Sequence, residues 1–416
     1  MNRQFSFSRH DVQRIVQSMA KPLLGQSQTA ADAVLFTEIT NLSAFLPERR
    51  AELAEAVLRF FCLDGDAAAA HDLRVELVSH TDLESWAAMV HGLWRAKTAR
   101  FHSSGSTGTP VWHELSLALM AEEMAVLEPV FSSRSRIVSV MPAHHVYGFM
   151  YGVLMSKWIS VPVLYAPPLP LASFFDKLRQ GDIIVGFPLF WNALLSVIQR
   201  EDNELSLPPN ITGLTATAPC PIELIRNLLS RSRIGKGEPL ADMNEIYGST
   251  ENMAMGLRRG GNDWFDLLPL WEAPELPDGS RGLRRVRADG TRWETEPFPD
   301  VVSWNAERPG TFKPERRTDK AVQVGGLNVY PERVAAVIRT YPHVRDCAVR
   351  LMRPEEGTRL KAFIVPDIPL DEAQEHFGKP FRNWLAENLE TVARPKHIRL
   401  GAELPRNSMG KASDWD

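Results

Sequence analysis

Between residues 100 and 250, short apolar runs such as RIVSVM, GDIIVGF and ITGLTATA alternate with helical stretches such as FFDKLRQ and PIELIRNLLS. That alternation is the pattern of strands and crossover helices in an α/β sheet, and it places functional loops at strand ends. Upstream, from Val12 to about Trp94, the pattern is helical, as in ERRAELAEAVLRFF, where Leu53, Val57 and Phe60–Phe61 recur near helical spacing among charges. Residues 260–300 are punctuated by Gly260–Gly261, Pro269, Pro274, Pro277, Gly279 and Gly282, which predicts loops and short strands, a connector or small β subdomain. After Asp319 a strand–helix–strand–helix pattern of under a hundred residues predicts a small α+β domain.

At 416 residues the chain exceeds the size at which one core stops growing, so two or more domains are expected. Lys plus Arg number 47 and Asp plus Glu 51, a net charge of −4, so no overall basic field draws the chain to nucleic acid or to an anionic membrane. The opening MNRQFSFSRHD lacks a signal-peptide apolar run, and the most apolar later stretch is broken by Pro188 and Asn192. Cys62, Cys220 and Cys347 are too few and too scattered for a disulfide framework or a zinc site. A soluble, untargeted, cytoplasmic protein is expected.

Three segments carry candidate chemistry. His102-Ser103-Ser104-Gly105-Ser106-Thr107-Gly108-Thr109-Pro110 packs glycines and hydroxyls into one loop. Glycine lets backbone N–H groups approach an anion, and small hydroxyls add donors, so the loop suits phosphates; a solvated Ser/Gly linker is the competing reading. Asn244-Glu245-Ile246-Tyr247-Gly248-Ser249-Thr250-Glu251 offers a tight turn at the glycine, a hydroxyl for a phosphate oxygen at Thr250 and a hard carboxylate for Mg²⁺ at Glu251; an ordinary turn with a surface glutamate is the alternative. In Met141-Pro142-Ala143-His144-His145-Val146-Tyr147-Gly148, His145 and Tyr147 project from the same side if the segment is extended. A pocket-lining role fits them better than a metal site, because no cysteine or carboxylate cluster stands nearby. Thr215-Ala216-Thr217-Ala218-Pro219 ends a strand with small residues that admit a flat ligand or merely pack, and Gly410-Lys411 presents one cation in a tail that otherwise reads as solvated.

Taken in order, HSSGSTGTP, MPAHHVYG, TATAPCP, NEIYGSTE, RRTDKAVQVGGLNVYP and LPRNSMGK resemble the successive signatures of the adenylate-forming superfamily, which includes acyl- and aryl-CoA ligases, standalone adenylation enzymes and luciferases; the chain looks most like a compact bacterial aryl-acid ligase. The resemblance spans residues 102–411 and implies a large N-terminal domain of layered α/β subdomains, 1–318, and a small mobile α+β C-terminal domain, 319–416, rotating on a hinge near Asp319. It implies that a carboxylate attacks the α-phosphate of ATP, giving an acyl-adenylate and pyrophosphate, and that a phosphopantetheine thiol of coenzyme A or an acyl or aryl carrier protein then displaces AMP.

By the same resemblance, Ser103, Ser104, Gly105, Ser106, Thr107 and Gly108 cradle the β- and γ-phosphates, Thr250 touches the α-phosphate, Glu251 holds Mg²⁺ and Lys411 bridges the carboxylate and α-phosphate oxygens. Tyr247, with Gly248 and Ser249, stacks on adenine beside Ala216, Thr217 and Ala218, Asp300 holds the ribose hydroxyls, and Arg317 adds a nucleotide contact. His145 borders the acyl carboxylate and the thiol's route, which Gly325–Gly326 approach after rotation, while Asn328 assists adenylation. Relatives commonly continue the phosphate loop as Pro-Lys-Gly, whereas this chain reads Pro110-Val111-Trp112 and lacks that cation. The region before the loop is short, and the linker over 260–299 lacks the usual glycine-rich strand pattern. Val111 in place of the lysine and the short N-terminal region leave room for a nucleotide-binding pseudoenzyme or regulatory module that keeps the fold without turnover. His145, Tyr147, Gly148, Ile246 and Met253 shape a flat slot without an aspartate for an amino group, so the expected substrate is an aryl acid, a hydroxybenzoate such as 4-hydroxybenzoate, or a hydroxycinnamate.

Overall fold

Among the described residues four helices open the chain, Arg9–Leu24, Pro47–Phe60, Ala67–Ser79 and Leu83–Leu93. Asp66 and Asp82 start the last two by accepting first-turn N–H groups, from Ala68 and Ala69 and from Ser85, which satisfies donors the helix leaves unpaired. The computed structural model describes residues 5–24, 39, 41–95, 97–103, 111–200, 205–230, 237–317, 321–325, 327–353, 355–405 and 415. The apolar stripe read from ERRAELAEAVLRFF is buried at Leu53, Ala54, Val57, Leu58 and Phe60. Phe60 meets Phe61, Phe101 and Phe149 edge-on at 4.9–5.8 Å, so an aromatic cluster ties the second helix to the segments that carry Phe101 and Phe149.

The chain divides into two compact units: Met1–Ser103, Trp112–Phe298 and Ser303–Lys313 form the larger, and Ser104–Val111, Pro299–Val302 and Pro314–Asp416 the smaller. In the larger unit, β1 (Thr98–Ser103) pairs with β2 (Val111–Ser116) as a separate ribbon. The main sheet holds β3 (Arg136–Ser139), β4 (Val163–Tyr165), β5 (Asp182–Gly186), β6 (Thr212–Thr215), β7 (Asp242–Ser249), β8 (Met253–Arg259) and β9 (Phe265–Leu267). From β4 the order runs β3, β5, β6, β7, all parallel, and then turns antiparallel through β8 and β9.

β5 and β6 are buried along their whole length, as expected of parallel strands covered on both faces. The Pro188–Ile198 and Ile222–Leu229 helices cover one face with Phe190, Trp191, Leu194, Ile198, Ile225 and Leu228. FFDKLRQ forms only the short Ala172–Phe175 helix and then a turn, too brief to be the crossover that its composition suggests. The glycine- and proline-rich stretch does supply short strands: β10 (Trp271–Glu272), β11 (Gly282–Arg285) and β12 (Glu296–Pro297) make a three-stranded sheet of their own. In the chain's next two strands, β13 (Asp300–Trp304) and β14 (Thr311–Arg317), the division between units falls; within the larger unit Phe312 of β14 pairs with Phe265 of β9.

The smaller unit contains a hairpin of β15 (Val322–Val324) and β16 (Leu327–Val329), a helix Pro331–Ile338, and a sheet in which β17 (Val344–Leu351) runs antiparallel and β19 (His397–Leu400) parallel to the central β18 (Leu360–Pro366). Helices Leu370–His376 and Lys379–Asn388 complete it. Its own core gathers Ile338, Cys347, Leu360, Ile364, Phe381 and Leu385. The third strand, β19, goes beyond the strand–helix–strand–helix pattern: its alternating IRL has too few apolar residues to announce a strand without the partner beside it. Among the described residues no helix is long and apolar enough to cross a membrane.

Candidate active site

The parallel strands of the larger unit end together, and the chain that leaves β3, β6 and β7 carries the candidate residues. Register pairs Val138 with Ile184, Leu214 with Val185 and Thr215 with Glu245, so the segments beginning at Val140, Ala216 and Ile246 emerge along one edge. This is where ligands bind open α/β sheets.

After β3 the chain does not stay extended, so the condition for His145 and Tyr147 to project from one side of a strand is not met. Val146–Gly148 begins a helical turn that continues as a π-helix over Phe149–Leu154, and His145 is its N-cap. Nδ1 of His145 accepts the Tyr147 N–H at 3.3 Å, which places the imidazole proton on Nε2 and makes that nitrogen a donor. Burial, with His102 nearby, pushes His145 down to about 4, so the ring is neutral at pH 7. His144 is pushed lower, to about 3, by burial and the two other histidines, and is held by Ser18, whose Oγ lies 2.8 Å from Nδ1. Gly148 is required by packing: a Cβ there lies 2.1 Å from the Pro142 carbonyl oxygen. Tyr147 is 5% exposed, tilts against Tyr151 at 5.2 Å, and its hydroxyl has no hydrogen-bond partner among the described residues. Burial, with Glu245 and the Cys220 thiol nearby, pushes this phenol well up, and those neighbours place it near the meeting of β7 with the loop after β6.

That loop, Ala216-Thr217-Ala218, is held from behind. Glu245 accepts the Cys220 N–H at 3.0 Å and the Arg258 Nε at 2.7 Å, while Arg258 also donates to the Cys220 carbonyl at 2.7 Å. The pair is nearly buried, and Arg258 lies over the Phe265 ring at 4.8 Å. One ion pair thus ties Cys220, at the end of this loop, to both β7 and β8, and within the loop Thr217 holds φ at +76°, a backbone state rare for a side-chain-bearing residue.

Tyr247, Gly248 and Ser249 lie in the last turn-free stretch of β7, and Thr250-Glu251-Asn252 makes the turn into β8. Gly248 therefore serves close approach rather than turning: a Cβ there lies 2.2 Å from the Met253 carbonyl oxygen. Met253, at φ +60°, is 7% exposed, as is Ile246. Tyr247 packs among Phe265, Phe298 and Phe312 with centroids 5.1–6.1 Å away. Thr250 is half-buried. Glu251 is half-exposed, and its Oε1 lies 3.2 Å from Nε2 of His113. Among the described residues no three His, Cys, Asp or Glu side chains form a metal cluster. A single open carboxylate beside a threonine fits Mg²⁺ that is carried mainly by substrate phosphates.

Ser103 closes β1, Arg317 closes β14, Gly325 follows β15 at φ +63°, Asn328 lies in β16 and Asp300, half-buried, opens β13. Ser104, Gly105, Ser106, Thr107, Gly108, Asp319, Gly326 and Lys411 lie outside the described residues. The residues gathered at the sheet edge are thus His145, Tyr147, Ala216, Thr217, Ala218, Ile246, Tyr247, Gly248, Ser249, Thr250, Glu251 and Met253. Sequence reasoning passed over Glu245 with Arg258, His113, and the buried Glu123, whose carboxyl receives the Tyr151 hydroxyl and the Ala254 N–H. An i, i+13 Glu–Arg pair signals nothing until a hairpin brings it together.

Residues 333–411 match the AMP-binding enzyme C-terminal domain. A 4-coumarate–CoA ligase of Halorhodospira halophila is 32% identical over 365 residues, 87% of this chain and 86% of that protein. A probable 2-succinylbenzoate–CoA ligase of Mycobacterium tuberculosis is 34% identical over 333 residues, 74% of this chain and 80% of that protein. Among solved structures, an o-succinylbenzoate CoA synthetase of Bacillus subtilis superposes with a TM-score of 0.61 at 16% identity, covering 82% of this chain and 72% of that one, a likeness of fold.

Proposed function

The chain belongs to the adenylate-forming superfamily as an AMP-forming acid–CoA ligase of the compact aryl/acyl type, and on that premise we propose that its acid is an aryl acid carrying a ring hydroxyl, a hydroxybenzoate or hydroxycinnamate. The observation that carries this reading is the Tyr147 hydroxyl, buried without a partner among the described residues beside His145. A buried phenol without a protein partner asks for a polar group from a ligand that reaches it. The flat aromatic and small-residue surroundings suit a ring, and the 4-coumarate relative is named for such an acid.

In the proposed first step the acid's carboxylate oxygen attacks the α-phosphorus of ATP, forming the mixed anhydride and releasing pyrophosphate. Nε2–H of His145 donates to the carboxylate and holds it for attack. Thr250 steadies the α-phosphate, Lys411 neutralises charge between carboxylate and phosphate, and residues 103–108 take the β- and γ-phosphates. Glu251 would hold Mg²⁺, which when bound would neutralise charge on the phosphates. Tyr247 and Ala216–Ala218 receive adenine, with Asp300 and Arg317 on the ribose side. In the second step the phosphopantetheine thiolate of coenzyme A attacks the acyl carbon and AMP leaves. The proposed domains are 1–318 and 319–416, with the hinge at Asp319.

Exchange of labelled pyrophosphate into ATP, with Mg²⁺, across hydroxybenzoates, hydroxycinnamates, their unsubstituted parents, fatty acids and amino acids tests the reading. The expected result is exchange dependent on a ring-hydroxylated aryl acid, at least tenfold above its unsubstituted parent, which corresponds to about 1.4 kcal/mol. Exchange led by a fatty or amino acid, or equal with and without the ring hydroxyl, refutes it.

A further inference from the structure

Glu123, on the Leu117–Phe131 helix, is 1% exposed, although a glutamate in that setting loses its hydration. Both carboxyl oxygens are engaged. Oε1 receives the Tyr151 hydroxyl at 2.5 Å, and Oε2 receives the Ala254 N–H at 2.9 Å. These partners belong to the two walls of the acid site. Tyr151 lies in the π-helix that comes after His145 and Tyr147, and its ring tilts against Tyr147. Ala254 directly succeeds Met253, two residues after the Thr250–Asn252 turn, and pairs with Gly248.

The far side of Ala254 is fixed as well, because its carbonyl accepts the Trp271 Nε1–H at 2.7 Å. The Arg285 guanidinium covers that indole at 5.1 Å, is 2% exposed, and lies 3.7 Å from Glu122. Arg285 is also the charge that offsets Glu123, whose carboxyl burial pushes up. An apolar side chain of similar volume would fill this space without a desolvation cost, so the carboxyl's distinctive contribution is geometric: two acceptors at a fixed separation.

We infer that Glu123 is a positioning residue of the acid site, setting the spacing between the His145–Tyr147 wall and the hairpin that carries Thr250, Glu251 and Met253. The inference rests on the proposed acid pocket. Glu123 touches no substrate and acts through Tyr151 and Ala254. Cutting the Tyr151 arm loosens only the wall that grips the acid, whereas removing the carboxyl also frees the hairpin that meets the phosphates.

Steady-state pyrophosphate exchange by the full chain, with KM for acid and for ATP measured separately and folding followed by thermal melting, tests this on Glu123→Leu, Glu123→Gln and Tyr151→Phe. Glu123→Leu is expected to lower kcat/KM for the acid on the order of 10²-fold, the scale of an ångström's misplacement, with both a higher acid KM and a lower kcat. In Glu123→Gln the amide oxygen accepts from Ala254 and the amide N–H donates to Tyr151, so kcat and KM return close to those of the unaltered protein. Tyr151→Phe raises the acid KM and leaves kcat and the ATP KM in place. A folded Glu123→Leu with unaltered constants overturns the inference, as does a Glu123→Gln no better than Glu123→Leu. If Glu123→Leu does not fold, an unchanged acid KM in Tyr151→Phe overturns it instead. An unaltered protein that exchanges with no acid refutes the proposed function, an outcome separate from all of these.

Discussion

A buried phenol without a partner, as that of Tyr147 is among the described residues, costs the free protein about 1–3 kcal/mol, a cost returned when a ligand brings a polar atom to it. Tyr147→Phe is therefore expected to leave the melting temperature of the free protein equal or higher, and to erase the preference for a ring-hydroxylated acid over its parent. Melting curves and paired exchange rates check both halves. The neighbouring histidines set a pH dependence. His145 titrates at about 4 and His144 at about 3 when folded, against about 6.5 in an unfolded chain. Between those values the unfolded chain binds more protons, so their contribution is full above pH 6.5 and is lost as pH falls toward 4. Urea midpoints at pH 7.5 and pH 5 should differ in that direction, and replacing both rings, His144→Asn with His145→Asn, should flatten the difference. A slope unchanged by the double replacement would assign the effect to other groups.

At the scale of elements, the β7–β8 hairpin and the loop after β6 depend on Glu245 and Arg258. Removing one member of a nearly buried pair strands the other, so Arg258→Met is expected to cost about 3–5 kcal/mol in urea unfolding, while a cost under about 1 kcal/mol would show that the loop is held by packing. The parallel half of the sheet was legible because fully buried strands read as unbroken apolar runs, as IIVG and GLT do. The N-terminal helices were legible from their apolar period. The helical turn after His145 was not, because a spacing of two over three residues is compatible with a strand or with the start of a helix. Gly248 was legible as a required glycine but not for its reason, since the carbonyl it faces belongs to the returning strand. Glu123 was illegible: within LALMAEEMAVLEPVF it resembles a surface glutamate, and its partners lie 28 and 131 residues away.

For the whole molecule, the two units each close a core of their own, the smaller around Ile338, Ile364 and Phe381. Such a division lets one enzyme present different groups of its smaller unit to two successive reactions. Lys411 belongs to the smaller unit by chain position, and charge neutralisation at the α-phosphate is needed only while the adenylate forms. In the second step the thiolate meets an acyl carbon already activated by its AMP leaving group, and a lysine on the phosphate adds little. Lys411→Ala is thus expected to reduce acid-dependent pyrophosphate exchange by about 10²-fold or more, the scale of losing one transition-state donor. The same variant supplied with preformed aryl-adenylate and coenzyme A should release AMP and form thioester at a rate near that of the unaltered protein. Rapid-quench assays of the two half-reactions, run separately, decide the matter: a selective loss assigns Lys411 to adenylation alone, whereas equal losses would mean that one arrangement of the two units serves both steps and would remove the ground for the proposed hinge at Asp319.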